Sequence, residues 1–208
     1  GGVKIFNQAS PTLSHNYFEG NRSNDGAAVQ IEERSNPLVE NNNFVGNIAN
    51  NYGGAVVVNI YANPTLRSNM FVRNQGGISG GAIVINHNSQ AVVNKNTIAG
   101  NTAGVAAGVL VMNDNQSRVT DNYISRNVAN QYGGGIYLVD SNARVAGNQV
   151  GDNQAGNLGG GMVVINRAPT IENNLISRNR ASDGGAGVYI SNSQPTLRHN
   201  TIAGNGRD

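Results

Sequence analysis

The sequence predicts an all-β fold in which the chain winds into a parallel β-solenoid of about eight coils, with 26–27 residues and three strands in each coil. Three observations predict it: asparagine pairs recur at a fixed spacing, apolar columns keep the same register, and all five prolines fall in one column. Glycine and asparagine supply 28 and 36 of the 208 residues, a composition typical of disorder when it lacks a period. Because only 12% of the residues are charged and 38% are hydrophobic, a folded chain is favoured.

The asparagine pairs define the repeat. The two members of a pair lie five residues apart, and successive pairs follow after 26 or 27 residues. The pairs are Asn16/Asn21, Asn42/Asn47, Asn69/Asn74, Asn96/Asn101, Asn122/Asn127, Asn148/Asn153, Asn174/Asn179 and Asn200/Asn205. Asn tolerates the left-handed backbone conformation that a sharp corner needs, and stacked Asn side chains can form hydrogen bonds between coils. We therefore interpret most of the asparagines as structural.

The strands are predicted from short apolar runs between these corners. Each repeat has three runs with a period of two, separated by Gly, Asn, Pro and Ser, which indicates three strands and three turns. The residue three before the first Asn of a pair is always aliphatic, and the residue two after it is always apolar. Coils stacked about 4.8 Å apart would bury these columns, and the crossover preference of parallel strands makes the winding right-handed.

Composition and charge exclude several functions. The apolar runs are too short for a transmembrane helix, so no membrane span is predicted. The net charge is +2 and there is no run of basic residues, which argues against binding to nucleic acid. The absence of Cys excludes disulfides and thiolate metal sites and fits an extracytoplasmic location. Residues 1–208 are expected to form a single β-solenoid domain, and its uncapped ends suggest a part of a longer array.

Two sets of motifs resemble known families. The segments Pro64–Asn69 and Phe71–Asn74 resemble the corner and third strand of the right-handed parallel β-helix superfamily, the pectate-lyase-like fold. Gly53-Gly54-Ala55-Val56 and Phe44-Val45-Gly46-Asn47 are similar to the short GGA and FxxN repeats of bacterial autotransporter adhesins. The first resemblance implies a fold but no single activity, since its members include polysaccharide lyases, hydrolases and adhesins. The second implies an extracellular or cell-surface location of bacterial type.

A polar cluster in the middle coils is a candidate ligand or calcium site. Asp114 and Asp140 each lie eight residues before a ladder Asn, so they are expected to stack on adjacent coils within about 5 Å. Like charges that close favour a cation between them, and Arg118, Arg144 and Asp121 lie in nearby columns. The alternatives are a sugar-binding patch and a set of ion pairs at a solvated turn. Calcium is the one cofactor considered, and no catalytic residue is assigned.

The first strand of each repeat predicts an apolar outer face. Aligning these strands by the last Gly before each one places Val57, Val84, Val111, Leu138, Val164 and Ile190 inward. Alternation then turns a stripe outward: Val56, Val58, Ile83, Ile85, Leu110, Met112, Tyr137, Val139, Val163, Ile165 and Tyr189. An exposed apolar face of this size is typical of an interface. Its cover would be a second subunit, a further segment of the same chain, or a ligand.

These patterns predict a non-catalytic extracellular module for adhesion, glycan binding or assembly, with the outward face as its interaction surface. No repeat departs from 26 or 27 residues, so no long loop walls a cleft of the kind that enzymes of the similar superfamily use. The alternative is a polysaccharide-processing enzyme of lyase or hydrolase type, or a fragment of one, that uses the Asp114/Asp140 region. The expected partners are another copy, another segment of the chain, or a polysaccharide.

Overall fold

A computed structural model describes residues 1–114 and 116–206, excluding the side chain of Asp114. These residues form strands joined by turns, and they contain no helix that could cross a membrane. Each strand pairs in parallel with the strand 26 or 27 residues later, as Val3 pairs with Val29 and Val29 with Val56. The eight coils, numbered here by their asparagine pairs, therefore stack over a length of about 34 Å.

Three sheets contain eight strands each. The first sheet consists of Val3–Ile5, Val29–Ile31, Val56–Val58, Ile83–Ile85, Val109–Asp114, Ile136–Ser141, Met162–Ile165 and Val188–Ser191. The second consists of Thr12–Ser14, Leu38–Glu40, Thr65–Arg67, Val92–Asn94, Arg118–Thr120, Arg144–Ala146, Thr170–Glu172 and Thr196–Arg198. The third consists of Tyr17–Glu19, Asn43–Val45, Met70–Val72, Thr97–Ala99, Tyr123–Ser125, Gln149–Gly151, Leu175–Ser177 and Thr201–Ala203.

A fourth sheet corrects the prediction of three strands per coil. It consists of Arg22–Asp25, Ile48–Tyr52, Gln75–Ser79, Thr102–Val105, Val128–Tyr132, Gln154–Ala155 and Arg180–Ala181. Its strands are polar or rich in Gly, and their inward column holds small residues such as Ala49, Ala129 and Ala155, so no apolar alternation marks them. The register also shifts within several of these strands, as between Gly76 and Ser79, which obscures a period of two.

The core lies inside the coils and is built from the predicted apolar columns. In the third sheet, the rings of Phe18, Phe44 and Phe71 stack with centroid distances of 4.9 and 4.6 Å. Ile98 and Ile124 continue the same column and are fully buried. The predicted β-solenoid with apolar columns facing its core is therefore confirmed.

The asparagine pairs form two continuous ladders. The side-chain oxygen of Asn101 accepts hydrogen bonds from the backbone N–H of Asn74 (2.9 Å) and from its Nδ2 (3.0 Å). The Nδ2 of Asn101 donates to the carbonyl of Phe71 (3.0 Å) and to Asn127 (2.9 Å). The amide thus forms hydrogen bonds with polar groups of both neighbouring coils at a buried corner, where water could not replace them.

The left-handed backbone conformation predicted for these asparagines is adopted by the residues next to them. The left-handed residue at each corner is the one just before the ladder Asn, for example Lys95 (φ 54°), Arg73 (φ 54°) or Gly100 (φ 63°). Asn is needed at the ladder position because its amide both donates and accepts, while its backbone is outside the left-handed region.

Candidate functional site

The outer face of the first sheet carries a continuous column of mostly apolar side chains. The register aligns Val57, Val84, Leu110, Tyr137, Val163 and Tyr189 on six successive strands. A second outward column, one alternation further along, contains Met112, Val139 and Ile165. Val57, Val84 and Leu110 form an apolar cluster with Met112, Tyr137 and Val139 that is separate from the core. An apolar outer surface therefore exists on this sheet.

Four residues of the predicted stripe face the core instead. Val56, Val58, Ile83 and Ile85 are fully buried within the main core, whereas Val57 and Val84, predicted to face inward, lie on the outside. The last Gly before the strand is not a constant marker, because Ala55 and Ala82 stand in the column that Gly108, Gly135 and Gly161 occupy in later coils. A slip of one residue in the alignment exchanges the two faces of a strand.

The remaining stripe residues lie along the outer face: Leu110, Met112, Tyr137, Val139, Val163, Ile165 and Tyr189.

The walls of this face make it a groove, which we call the outer groove. One wall is a column at the end of the fourth sheet that includes Tyr52, Val105, Tyr132 and Leu158. Left-handed glycines follow this wall and lie against the floor, so that a Cβ on Gly80 would overlap the side chain of Val84. The floor residues of the outer groove are consequently almost covered: Val57, Val84 and Leu110 are 1–3% exposed.

The central part of the outer groove contains two tyrosines. Burial raises the pKa of Tyr137, and the neighbouring Tyr132 raises it further, so the Tyr137 phenol stays protonated and can donate a hydrogen bond at neutral pH. Towards the N-terminal coils, Tyr52, Val84 and Met112 line a recess of about 270 Å³ together with Asn86 and His87. The groove therefore offers aromatic and aliphatic surface with a few polar groups and, in this recess, the carboxylate of Asp25.

A third polar ladder borders the groove at the corner that follows the first sheet. Asn113 donates to Asn86 (3.1 Å), Asn166 donates to Asp140 (3.0 Å), and Asn192 donates to Asn166 (2.8 Å). Asp140 has φ 50°, as Asn113 does, so it occupies a left-handed position of this ladder. Asp140 also lines a depression of about 340 Å³ with His87, Asn88, Asn113 and Arg167. Sequence reasoning missed this ladder because its members differ from coil to coil.

The residues of the predicted calcium site are spread over several elements. The Cα register pairs Asp114 with Ser141, one residue beyond Asp140, and the Asp114 side chain lies outside the described part of the structure. Arg118 and Arg144 are direct neighbours on the second sheet, where Arg144 binds Glu172 (2.6 Å). Asp121, at the next corner, accepts a hydrogen bond from Asn94 (3.1 Å).

Among the side chains that the structure describes, from which that of Asp114 is excluded, no group of three or more His, Asp or Glu is placed to hold a metal ion. A calcium ion at Asp114 and Asp140 stays a prediction.

The ion pair of Asp152 and Arg178 gives a pH prediction. Two hydrogen bonds from Arg178 (2.8 and 2.9 Å) hold the pKa of the Asp152 carboxyl below its ordinary value. Because the folded pKa is lowered, the pair stabilises the fold above the unfolded pKa, and this stabilisation is lost as the pH falls through the folded pKa. We expect Arg178→Gln to return the Asp152 pKa towards its ordinary value in a carboxyl NMR titration. The lowered pKa of Glu172, which depends first on Arg144, should stay where it is; an unchanged Asp152 pKa would contradict the assignment.

Four parallel sheets around one apolar core, with the corners held by asparagine ladders, define a parallel β-solenoid. The family model described as a right-handed beta helix region matches residues 1–108 and 105–207. The chain therefore belongs to the right-handed β-helix family. No curated protein and no solved structure gives a significant match.

Proposed function

We propose that the protein is a non-catalytic extracellular binding module whose outer groove holds one extended polysaccharide chain along the solenoid axis. The observation that carries this proposal is the apolar track of the outer groove, which continues through six strands in register without interruption by an inserted loop. Val57, Val84, Leu110 and Val163 form its covered base, and the surface that a ligand can contact comes from the half-buried Met112, Tyr137, Val139, Ile165 and Tyr189. Six strands at the usual spacing give a floor about 24 Å long, and two outward columns make it about 10 Å wide.

The size of the outer groove favours a single strand over a folded subunit. Its floor covers roughly 240 Å², whereas a specific protein interface buries at least about 600 Å² on each partner. An extended chain requires only a narrow track that continues over several coils. The groove has this form, since its floor residues are enclosed between the Tyr52 and Tyr132 wall and the Asn86 rim.

The chemistry of the groove supports a sugar chain as its ligand. Tyr132 and Tyr137 present rings that can pack against the apolar faces of sugar rings while their hydroxyls bond to polar groups. The amides of Asn86 and Asn113 and the carboxylate of Asp140 supply acceptors and donors on the rim. A few placed polar groups around an apolar surface are what fixes the orientation of a bound ligand.

A binding assay with matched tyrosine variants tests this function. We expect the native protein to bind at least one neutral or acidic polysaccharide in affinity electrophoresis, and Tyr137→Ala to weaken that binding about tenfold through loss of ring packing. The control is Tyr17→Ala, because Tyr17 is exposed on the third sheet, away from the groove. Equal binding by the native protein and Tyr137→Ala, or no binding to any polysaccharide, would contradict the proposal. Release of cleaved sugar products that Asp140→Asn abolishes would instead indicate the enzyme.

A further inference from the structure

The outer face of the third sheet shows an alternation with a period of two coils. The register aligns Tyr17, Asn43, Met70, Thr97, Tyr123, Gln149, Leu175 and Thr201 in one outward column. The large apolar members stand on coils one, three, five and seven and are 40–59% exposed: Tyr17, Met70, Tyr123 and Leu175. The coils between them carry Asn, Thr or Gln. We call this column the ridge; its apolar side chains recur about every 10 Å.

We propose that a second copy of this chain docks on the ridge in an antiparallel orientation and forms a symmetric dimer. A two-fold axis along the strand direction, between coils four and five, places coil one opposite coil eight and coil three opposite coil six. Every large apolar residue then faces a polar residue of the partner: Tyr123 faces the position of Thr97, and Met70 faces that of Gln149. The protruding side chains of each copy therefore fit between those of the other, as a self-complementary interface requires.

Charges on both sides of the ridge select the same register. The corner before the third sheet carries Lys95 on coil four and Asp121 on coil five, and the axis exchanges these two coils. The corner after the sheet carries Arg73 on coil three and Asp152 on coil six, which the axis also exchanges. The dimer thus gains two Lys95–Asp121 contacts and brings each Arg73 to an Asp152 carboxylate that Arg178 of that copy already binds. No like charges stand directly opposite each other in these two corner columns.

In other registers of the two copies, either the fit of apolar against polar residues or the pairing of opposite charges is lost. A shift of one coil places the large apolar residues opposite one another and leaves the polar residues facing each other. A shift of two coils restores the apolar fit but separates Lys95 from Asp121 and Arg73 from Asp152. A parallel arrangement, with the axis along the solenoid, pairs each coil with itself, so that Tyr17, Met70 and Tyr123 would each collide with the same residue of the partner.

The area of the third-sheet face gives an estimate of the dissociation constant of the dimer. The third sheet and its two corners cover roughly 34 by 17 Å, or about 600 Å² on each copy. The total of about 1,200 Å² lies at the lower limit of specific interfaces, so a dimer with a micromolar dissociation constant is expected. The complementary charges would contribute chiefly to register and to the rejection of other arrangements.

Charge reversal with complementation tests the dimer and its register together. Sedimentation velocity on the native protein between 1 and 200 µM, about two decades around the expected constant, should show a concentration-dependent dimer. Lys95→Glu and Asp121→Lys should each raise the dissociation constant about tenfold, because each homodimer then holds two repulsive contacts.

An equimolar mixture of Lys95→Glu and Asp121→Lys should restore dimers. In the mixed dimer the two substituted positions meet as a carboxylate against an ammonium, and the unchanged Asp121 of the first variant meets the unchanged Lys95 of the second. Arg118→Glu, which reverses an exposed charge on the second sheet, is the matched control and should dimerise as the native chain does.

Three results would overturn the proposal: a native protein that stays monomeric throughout this range, a mixture of the two variants that stays monomeric, or an equal loss with Arg118→Glu. If Tyr137→Ala abolishes the dimer while Lys95→Glu leaves it intact, the copies associate through the outer groove and the ridge is not their contact.

Thermal melting of each variant shows whether a loss of dimer reflects unfolding. The polysaccharide assay is independent of these outcomes, because the groove and the ridge lie on different sheets.

Discussion

Replacing Asn101 by alanine is expected to lower the free energy of unfolding by about 4 kcal/mol, a large share of the stability of a domain. The fully buried Asn101 amide serves four groups: the backbone N–H and Nδ2 of Asn74, the carbonyl of Phe71 and the side-chain oxygen of Asn127. Alanine leaves these groups with fewer partners in a place where water does not reach, and each unmade bond of this kind costs about 1–3 kcal/mol. Denaturant unfolding followed by circular dichroism measures the change.

The matched control is Asn130→Ala, which removes an equally large amide from an exposed position of the fourth sheet. Its free energy of unfolding should change by less than about 0.5 kcal/mol. Similar losses for Asn101→Ala and Asn130→Ala would show that the ladder does not hold the coils together.

The corners and inward columns are the parts of the fold that can be predicted from the sequence. They repeat because each coil must place the same chemistry at the same point: an amide at the corner of Asn101 and an apolar side chain at Phe71 or Ile98. The fourth sheet escapes prediction, because its inward column holds only Ala, Gly or Ser and the outer positions of Ile48–Tyr52 or Gln75–Ser79 follow no apolar pattern.

The outer groove shows where counting along the chain fails. Asp114 and Asp140 lie at the same distance from their ladder asparagines, yet the register pairs Asp114 with Ser141. The corner between the first and second sheets is one residue longer in the coil of Asp114, so a fixed distance from the Asn does not carry through it. The inward assignment of Val57 failed for a related reason, since Ala and Gly exchange freely in the column before the strand.

The residues of the ridge can be found in the sequence, because each follows the first Asn of a pair. The strand register is needed to show that they form one surface. Tyr17 and Met70 alone are isolated apolar surface residues, which are common and carry no implication. Direct pairing of Asn43 with both of them shows that they share one outward column, and the corners place Lys95 and Asp121 beside it. With this placement, a two-fold axis can be seen to match the apolar residues of one copy with polar residues of the other, and Lys95 with Asp121.

Replacing Phe44 by alanine is expected to cost about 4 kcal/mol of unfolding free energy, through lost burial and the cavity left behind. Phe44 is fully buried and lies between the parallel rings of Phe18 and Phe71, so its removal breaks a stack of three coils. Phe44→Ile should cost only about 1–2 kcal/mol, because the same column accepts isoleucine at Ile98 and Ile124 and the smaller side chain leaves a smaller void. Chemical denaturation of both variants gives the comparison. If the two lose the same free energy, the ring stack adds nothing beyond an apolar filling, and the phenylalanines of the first three coils do no more than the isoleucines that replace them further along the rod.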